Sequence, residues 1–232
     1  PIAARSMVKI LEVNGADRIL AMDLHAPAIQ GMNDPRKTKF DRIPAKPLIK
    51  SWIKAVADEF GAENCVLVSP DSGRTKVIES YADTLYQEGY ELLTADIEKR
   101  RKVHGGDPEI VGIKGDVKGK IAIMIDDMIG TGGTIIKGAD RLMDEGARAV
   151  YVAATHALLA GDASRRLYAA ESIAAVALTD PLLTQKKIDE LDHKLHQIKT
   201  AKYLAEIFHA TFYHKSLSNI YKTWGAKTHQ LG

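Results

Sequence analysis

An apolar run that ends in two carboxylates and a glycine- and threonine-rich loop is the segment of this chain best suited to chemistry. The run covers residues 121–125, the carboxylates are Asp126 and Asp127, and the loop continues to Thr134. Small residues let backbone N–H groups converge on a phosphate at a helix N-terminus, and threonine hydroxyls add donors. Carboxylates would repel that phosphate, so we expect them to accept hydrogen bonds from sugar hydroxyls or to hold a Mg²⁺-bound group. The segment therefore predicts a sugar-phosphate site, because a turn built for geometry alone would explain the glycines but not the acids.

Three further polar clusters follow apolar runs, at Asp23-Leu24-His25, at residues 71–74 and at Thr155-His156. In parallel sheets ligands bind beyond the C-terminal ends of the strands, so we expect these clusters at one edge of a sheet. Each cluster also has a structural interpretation. His25 could be a hydrogen-bonded structural histidine, and Pro70-Asp71 could form a simple turn.

A basic cluster at residues 99–102 lies in a polar segment, 96–106, that matches neither helical nor strand periodicity. The pattern predicts a loop. Charge runs of this kind are usually solvated surface. The alternative is a mobile cationic loop that closes over a polyphosphate and stabilises the charge of a breaking bond.

The elements that must position these residues alternate between strand and helix patterns. Strand-like runs precede the clusters, helical spacing follows them, and residues 31–44 form a basic, proline-containing stretch that predicts an irregular loop. Strands that alternate with helices of about 10–15 residues indicate βαβ units around a parallel sheet. We therefore expect an α/β fold.

Composition excludes several classes of protein. The 232 residues include 32 Lys and Arg against 30 Asp and Glu, a net charge of +2 that gives no electrostatic footprint for nucleic acid. One cysteine, Cys65, excludes an internal disulfide and any multi-cysteine zinc site. No aliphatic run approaches the about 20 residues needed to span a membrane, and no signal peptide opens the chain. We expect a soluble, cytoplasmic protein that binds neither nucleic acid nor membrane.

The order of the motifs resembles a known family. They run from Met-Asp-Leu-His-Ala at 22–26 through Val-Ser-Pro-Asp at 68–71, Lys-Arg-Arg at 99–101, the 121–134 segment and Thr-His-Ala at 155–157 to Ser-Leu-Ser-Asn-Ile-Tyr at 216–221. The 121–134 segment alone looks like the phosphoribosyl-binding loop of the type I phosphoribosyltransferase fold. The ordered series is more specific and resembles the ribose-phosphate pyrophosphokinases (phosphoribosyl pyrophosphate synthetases) from Pro1 to about Tyr221.

This resemblance implies two phosphoribosyltransferase-like α/β domains with parallel sheets, the first incomplete in this chain. Residues 1–46 would be the later part of the N-terminal domain and residues 47–200 the C-terminal domain with the ribose-phosphate loop. Residues 201–232 would form a C-terminal helix and tail that return to the first domain. Family active sites lie near subunit interfaces, so the resemblance also implies a homo-oligomer, built on dimers and extending up to a hexamer.

The family transfers the β,γ-diphosphoryl group of Mg·ATP to the C1 hydroxyl of ribose 5-phosphate, which gives phosphoribosyl diphosphate and AMP. The resemblance implies that Lys99 and Arg101, with His25, are catalytic. It implies Mg²⁺ as the cofactor, shared by His25 and Asp71. The implied ribose 5-phosphate ligands are Asp126, Asp127, Thr131, Gly132, Gly133 and Thr134. The implied diphosphate and ATP ligands are Asp71, Ser72, Gly73, Arg74 and His25.

The chain departs from the family pattern in three places. Arg74 stands where the diphosphate loop has a second glycine, and residues 32–46 replace a Phe-Phe-rich stretch that often lies at subunit contacts. The strands that hold adenine, expected before Pro1, have no counterpart. We therefore expect that the folded protein begins before Pro1, or that another subunit supplies those groups.

Two other functions remain open from the sequence. A nucleobase phosphoribosyltransferase would share residues 126–134 but would need neither the Asp23-Leu24-His25 motif nor Lys99 and Arg101. A non-catalytic regulatory paralogue of the synthetase would explain the missing front end, although the intact acids and the basic pair argue against it.

Overall fold

The computed structural model describes residues 2–100 and 109–227, with side chains as far as residue 224. The chain divides into two compact units, Pro1–Ala45 and Lys46–Gly232. Over the described residues no helix is long and apolar enough to cross a bilayer.

The first unit consists of helix α1 (Ile2–Val13), a short 3₁₀ turn (Pro27–Gly31) and the parallel strands β1 (Arg18–Met22) and β2 (Lys39–Ile43). The prediction of an irregular loop over residues 31–44 is wrong where β2 forms. Its charged side chains are tolerated because they pair across the sheet, Arg18 with Asp41 at 3.2 Å and Arg42 with Asp23 at 3.8 Å. Ile43 at the end of β2 is buried, which anchors the strand.

The second unit contains a seven-stranded sheet and helices that precede, connect and follow its strands. The strands are β3 (Cys65–Ser69), β4 (Leu93–Arg100), β5 (Glu109–Lys114), β6 (Ile121–Met128), β7 (Ala149–His156), β8 (Ile173–Thr179) and β9 (Leu195–Ile198). The helices are α2 (Lys46–Phe60), α3 (Thr75–Tyr86), α4 (Gly133–Asp144), α5 (Ala163–Ala169), α6 (Gln185–Leu191), α7 (Ala201–Phe212) and α8 (Ser218–Lys227).

The strand order is β5-β4-β3-β6-β7-β8-β9, and every pair is parallel except β4 with β5. Strands β3 and β6 are apolar runs buried at the centre of the sheet, as parallel strands covered on both faces must be. The chain leaves β3 towards β4 on one side and returns as β6 on the other. The C-terminal ends of β3 and β6 therefore flank a topological switch point, where such sheets bind ligands. The predicted α/β class with parallel sheets is confirmed.

The prediction of a loop over residues 96–106 is wrong for residues 96–100, which belong to β4. Ile97 is fully buried in the core, and β5 supplies an antiparallel partner that pairs Lys99 with Ile110. A register shift between Glu98 and Lys99 interrupts the alternation that would have marked a strand. Residues 101–108 lie outside the described part of the chain.

The C-terminal helices pack within the second unit. Helix α8 contacts α2, and its Trp224 ring lies 5.0 Å from the ring of Tyr203 on α7. The predicted division into residues 1–46, 47–200 and 201–232 stays a prediction, as does the return of residues 201–232 to the first domain.

Candidate active site

The phosphate loop, residues 130–134, connects β6 to α4 and is held by the segment that follows β7. Ile129 N–H donates to His156 O, Leu159 N–H to Ile129 O, and Ala160 N–H to Gly130 O, each at 2.9 Å. Gly132 caps α4 with φ +77, a left-handed conformation that disfavours any side chain. These contacts fix the loop at the C-terminal edge of the sheet, where the sequence predicts it.

The start of α4 lies at this edge and carries backbone N–H donors. The first N–H groups of a helix have no intrahelical acceptor, and in the 12-residue α4 these include the N–H groups of Gly133 and Thr134. Thr131 and Thr134 are both exposed, so their hydroxyls are available to a ligand. Backbone N–H groups and hydroxyls at a helix N-terminus are groups that bind phosphate. The phosphate site at this loop stays a prediction.

The two acids lie at the end of β6, immediately before the phosphate loop. Asp126 pairs in register with Ala154 of β7, and Asp127 is only 5% exposed. Asp127 N–H donates to Asp126 Oδ1 at 2.8 Å. Burial, followed by the side chain of Asp127, raises the pKa of Asp126 to about 7, although Arg74 opposes the shift. The pair is therefore poised to accept cations or hydroxyl donors near neutral pH.

The diphosphate loop, residues 71–74, follows β3 and is folded by its own aspartate. Asp71 Oδ1 accepts from Gly73 N–H at 2.9 Å, and Asp71 O accepts from Arg74 N–H at 3.1 Å and from Ser69 Oγ at 2.5 Å. Ser72 and Gly73 are exposed. The Pro-Asp turn therefore forms, and the same turn exposes Ser72 and Gly73 of the predicted ligand loop.

Arg74 joins the diphosphate loop to the acids of β6. Its Nε lies 3.4 Å from Asp126 Oδ1 and its Nη1 lies 3.2 Å from Asp127 Oδ1, with the side chain 20% exposed. The Nε contact is ionic without hydrogen-bond geometry, and this atom is buried with no hydrogen-bond partner in the described part of the chain. The arginine that departs from the family pattern thus faces the predicted ribose acids, and its buried Nε still lacks an acceptor.

Lys99 also reaches this site, from a strand rather than from the predicted mobile loop. Burial lowers the pKa of Lys99, and the nearby carboxylates of Asp71 and Asp126 oppose that shift. The charge of Lys99 therefore interacts with a carboxylate of the diphosphate loop and with one at the end of β6. Its predicted partner Arg101 lies outside the described residues.

His25 belongs to the first unit, where it is exposed and follows β1. Asp23 beside it adopts φ +37, an uncommon conformation for a non-glycine residue. The described residues contain no group of three or more His, Cys, Asp or Glu that could hold a metal. Mg²⁺ prefers oxygen ligands and is often held by one or two carboxylates together with substrate phosphates, a preference that Asp71 fits. The sharing of Mg²⁺ by His25 and Asp71 stays a prediction.

Sequence reasoning missed two residues that the structure brings to the site. Asp96 of β4 accepts from Thr75 Oγ1 at 2.6 Å and so holds the start of α3 behind the diphosphate loop. Arg166 of α5 donates from Nη1 to Thr131 O at 3.4 Å. The only signal for Arg166 was a pair of arginines shortly after the Thr155-His156 cluster, a pattern too common to interpret alone.

Comparisons with known proteins agree with this geometry. The sequence matches a family model described as a phosphoribosyl synthetase-associated domain over residues 102–222. The structure is similar to the phosphoribosylpyrophosphate synthetase from Mycobacterium smegmatis, with a TM-score of 0.76 and 36% identity over 92% of this chain and 65% of that chain. This chain thus spans slightly less than two thirds of that relative's length.

Two more distant similarities cover about half of the chain. One is to the hypoxanthine phosphoribosyltransferase from Trypanosoma cruzi in complex with the product IMP, with a TM-score of 0.40 and 13% identity over 48% of this chain and 65% of that one. The other is to the hypoxanthine-guanine phosphoribosyltransferase from Bacillus anthracis, with a TM-score of 0.37 and 16% identity over 48% of this chain and 64% of that one. Similarities at this level carry no weight for function.

Proposed function

Because the chain belongs to the phosphoribosyl synthetase family, we propose that the full-length protein is a ribose-phosphate diphosphokinase. The C1 hydroxyl oxygen of ribose 5-phosphate attacks the β-phosphorus of ATP, and the bond between the α,β-bridging oxygen and that phosphorus breaks. The C1 oxygen keeps its bond to C1 and gains one to the β-phosphorus, its proton passes to solvent, and AMP leaves with the bridging oxygen. Catalysis of such a transfer depends on positioning and on charge stabilisation.

The phosphate loop and the acids position the sugar in this proposal. The N–H groups at the start of α4, with the hydroxyls of Thr131 and Thr134, bind the 5-phosphate. Asp126 and Asp127 lie immediately before the loop and accept hydrogen bonds from the ribose hydroxyls. The sugar is thereby held between two groups of opposite preference, donors for its phosphate and acceptors for its hydroxyls.

The cations position the transferred group. Arg74 and Lys99 lie on neighbouring segments at the ends of β3 and β4, next to the acids. The buried Nε of Arg74 needs an acceptor, which a diphosphate oxygen would supply. Lys99 offsets the negative charge that grows on the phosphoryl oxygens, together with Arg101. The backbone of the diphosphate loop, at Ser72 and Gly73, would bind the same group, and His25 would contact ATP.

Asp71 would hold the Mg²⁺ of this proposal, together with phosphate oxygens of ATP. Bound there it would neutralise part of the charge on the transferred group. Asp71 Oδ1 also accepts from Gly73 N–H, and this hydrogen bond folds the diphosphate loop.

The observation that carries the proposal is the pairing of Arg74 with Asp126 and Asp127 beside the phosphate loop. Lys99 adds a second cation whose charge interacts with Asp71 and Asp126. This combination joins a site for an anionic group to a site for a sugar at the switch point of one sheet. A base-transferring enzyme would use the phosphate loop and the acids but would not need Lys99.

The test is AMP formation by the full-length protein from Mg·ATP, measured by chromatography with and without ribose 5-phosphate. We expect AMP only when the sugar phosphate is present, and we expect Asp127→Asn to reduce its formation strongly. Ribose without its phosphate is the matched control and should support little turnover. Release of diphosphate that depends on a nucleobase, or no AMP under any of these conditions, would contradict the proposal.

Assembly into a homo-oligomer is part of the same proposal and is supported by membership of the family. Sedimentation equilibrium of the full-length protein at several concentrations measures it directly. A dimer or a multiple of dimers is the expected result, and a monomer at all concentrations would remove this part of the proposal.

A further inference from the structure

Arg166 lies against the phosphate loop although it belongs to a separate helix, α5. Its Nη1 donates to Thr131 O at 3.4 Å. Its Nη2 lies 3.6 Å from the point that a Cβ on Gly133 would occupy, and Thr131 Oγ1 lies 3.9 Å from the same point. Two side-chain donors therefore flank a space that glycine leaves open at the start of α4.

Helix α5 is docked so that this arrangement is fixed. Ala163, Ser164 and Leu167 of α5 are buried, and the side chain of Leu167 lies 3.5 Å from the point that a Cβ on Gly132 would occupy. Arg166 precedes Leu167 directly and is exposed. The packing of Leu167 on the phosphate loop thus holds the backbone of Arg166 next to that loop.

The charge of Arg166 is not used by a carboxylate in the described part of the chain. Its neighbour Arg165 pairs with Glu190, Nε to Oε1 at 2.9 Å, and Glu190 also accepts from Ser164 Oγ at 2.5 Å. No acidic side chain lies within ion-pair distance of Arg166 among the described residues. Of two adjacent arginines, one ties α5 to α6 and the other offers its guanidinium to the phosphate loop.

We propose that Arg166 is a further phosphate-binding residue of this site. This inference rests on the proposed function and names the ligand as the phosphate monoester of the sugar substrate. Guanidinium groups bind phosphate oxygens through paired N–H donors, which gives both affinity and orientation. On binding, Arg166 exchanges its long contact with Thr131 O for the phosphate. The dianion is then held between this cation, Thr131 and the N-terminal end of α4.

Calorimetric titration of the full-length protein with ribose 5-phosphate tests the role of Arg166. Arg166→Gln keeps a good helix former and should weaken binding about tenfold or more, the size expected for one lost charge-assisted hydrogen bond. Arg166→Lys should recover part of the loss. Arg165→Gln is the matched control and should stay within about twofold of the parent, since one surface ion pair contributes little.

Steady-state kinetics separate binding from a merely structural role. Arg166→Gln should raise KM for ribose 5-phosphate and change kcat little, and its thermal midpoint should match that of the parent. Inorganic phosphate is the second probe, and the parent should bind it more tightly than Arg166→Gln does. If Arg166→Gln does not fold, Arg166→Lys decides, since it must bind ribose 5-phosphate more weakly than the parent.

The outcomes distinguish this inference from the proposed function. If Arg166→Gln and the parent bind ribose 5-phosphate and phosphate equally tightly, the role of Arg166 is overturned and the proposed reaction is unaffected. A parent that binds phosphate through Arg166 but forms no AMP overturns the reaction and keeps the anion site. A parent that binds neither ligand overturns both.

Discussion

Removal of the guanidinium of Arg74 should destabilise the protein in a way that depends on pH. The side chains of Asp126 and Asp127, 17% and 7% exposed, lie 3.4 and 3.2 Å from this cation. Removing one partner of a fully buried ion pair costs about 3–5 kcal/mol. Here Arg74 is partly exposed and Asp126 can take up a proton, so we expect Arg74→Met to cost about 1–3 kcal/mol at pH 9.

The pH dependence follows from the raised pKa of Asp126. Burial and Asp127 raise it from 3.8 to about 7, against the opposing charge of Arg74, with Lys99 also nearby. The folded state therefore binds a proton more tightly than the unfolded state, and stability falls as pH rises between these values, by at most about 4 kcal/mol. Without Arg74 the pKa rises further, so the decline continues above pH 7. At pH 5 Asp126 is protonated, and Arg74→Met should cost less there.

Urea unfolding of the parent, Arg74→Met and the double variant Arg74→Met with Asp126→Asn, at pH 5, 7 and 9, measures these terms. The double variant should regain much of the loss at pH 9, because the uncompensated charge is gone. Lys76→Met, an exposed neighbour on α3, is the control and should change stability little. Equal costs of Arg74→Met at pH 5 and pH 9 would refute the reasoning.

Three other outcomes follow from the structure. Lys99→Met should lower the single-turnover rate constant about 100-fold or more while the Kd for ribose 5-phosphate changes little, as expected for a group that stabilises charge in the transition state. An unchanged single-turnover rate constant would exclude that role. Gly132→Ala should cost about 1–2 kcal/mol in urea unfolding, because Gly132 has φ +77, whereas Gly130→Ala, with open space around it, should cost less; equal costs would contradict the account. Cys65 is fully buried, and burial raises its thiol pKa to about 11, so a disulfide reagent should label it only after unfolding, and rapid labelling of the native protein would show that the β3 core is open.

The sequence was most informative where local pattern and tertiary environment agree. The buried strand β3 and the run from β6 through the phosphate loop into α4 combine apolar β-branched residues, glycines and terminal polar groups, so both the elements and the candidate ligands could be predicted. It was least informative at β2 and at the end of β4. There, charged residues are tolerated only because a partner strand lies beside them, as with Arg42 and Asp23, and no local pattern contains that partner.

The contacts within the site depend on long-range packing even where the residues could be named. Arg74 was predicted to face a diphosphate, and its contact with Asp126 and Asp127 follows only from the adjacency of β3 and β6 in the sheet. Arg166 approaches the phosphate loop because Leu167 packs beside Gly132, 35 residues earlier in the chain. The sequence thus predicts which groups are present, and the sheet order determines which of them meet.

The central claim is that the C1 hydroxyl oxygen of ribose 5-phosphate attacks phosphorus, and an oxygen label tests this claim most directly. The full-length protein would be incubated with Mg·ATP and ribose 5-phosphate carrying ¹⁸O at C1, and the products analysed by mass spectrometry. If the C1 hydroxyl attacks phosphorus, the label remains in the phosphoribosyl diphosphate and AMP contains none, with residual sugar as the control for exchange with water. Label in AMP, or a sugar product that has lost its label while the residual sugar keeps it, would contradict the mechanism.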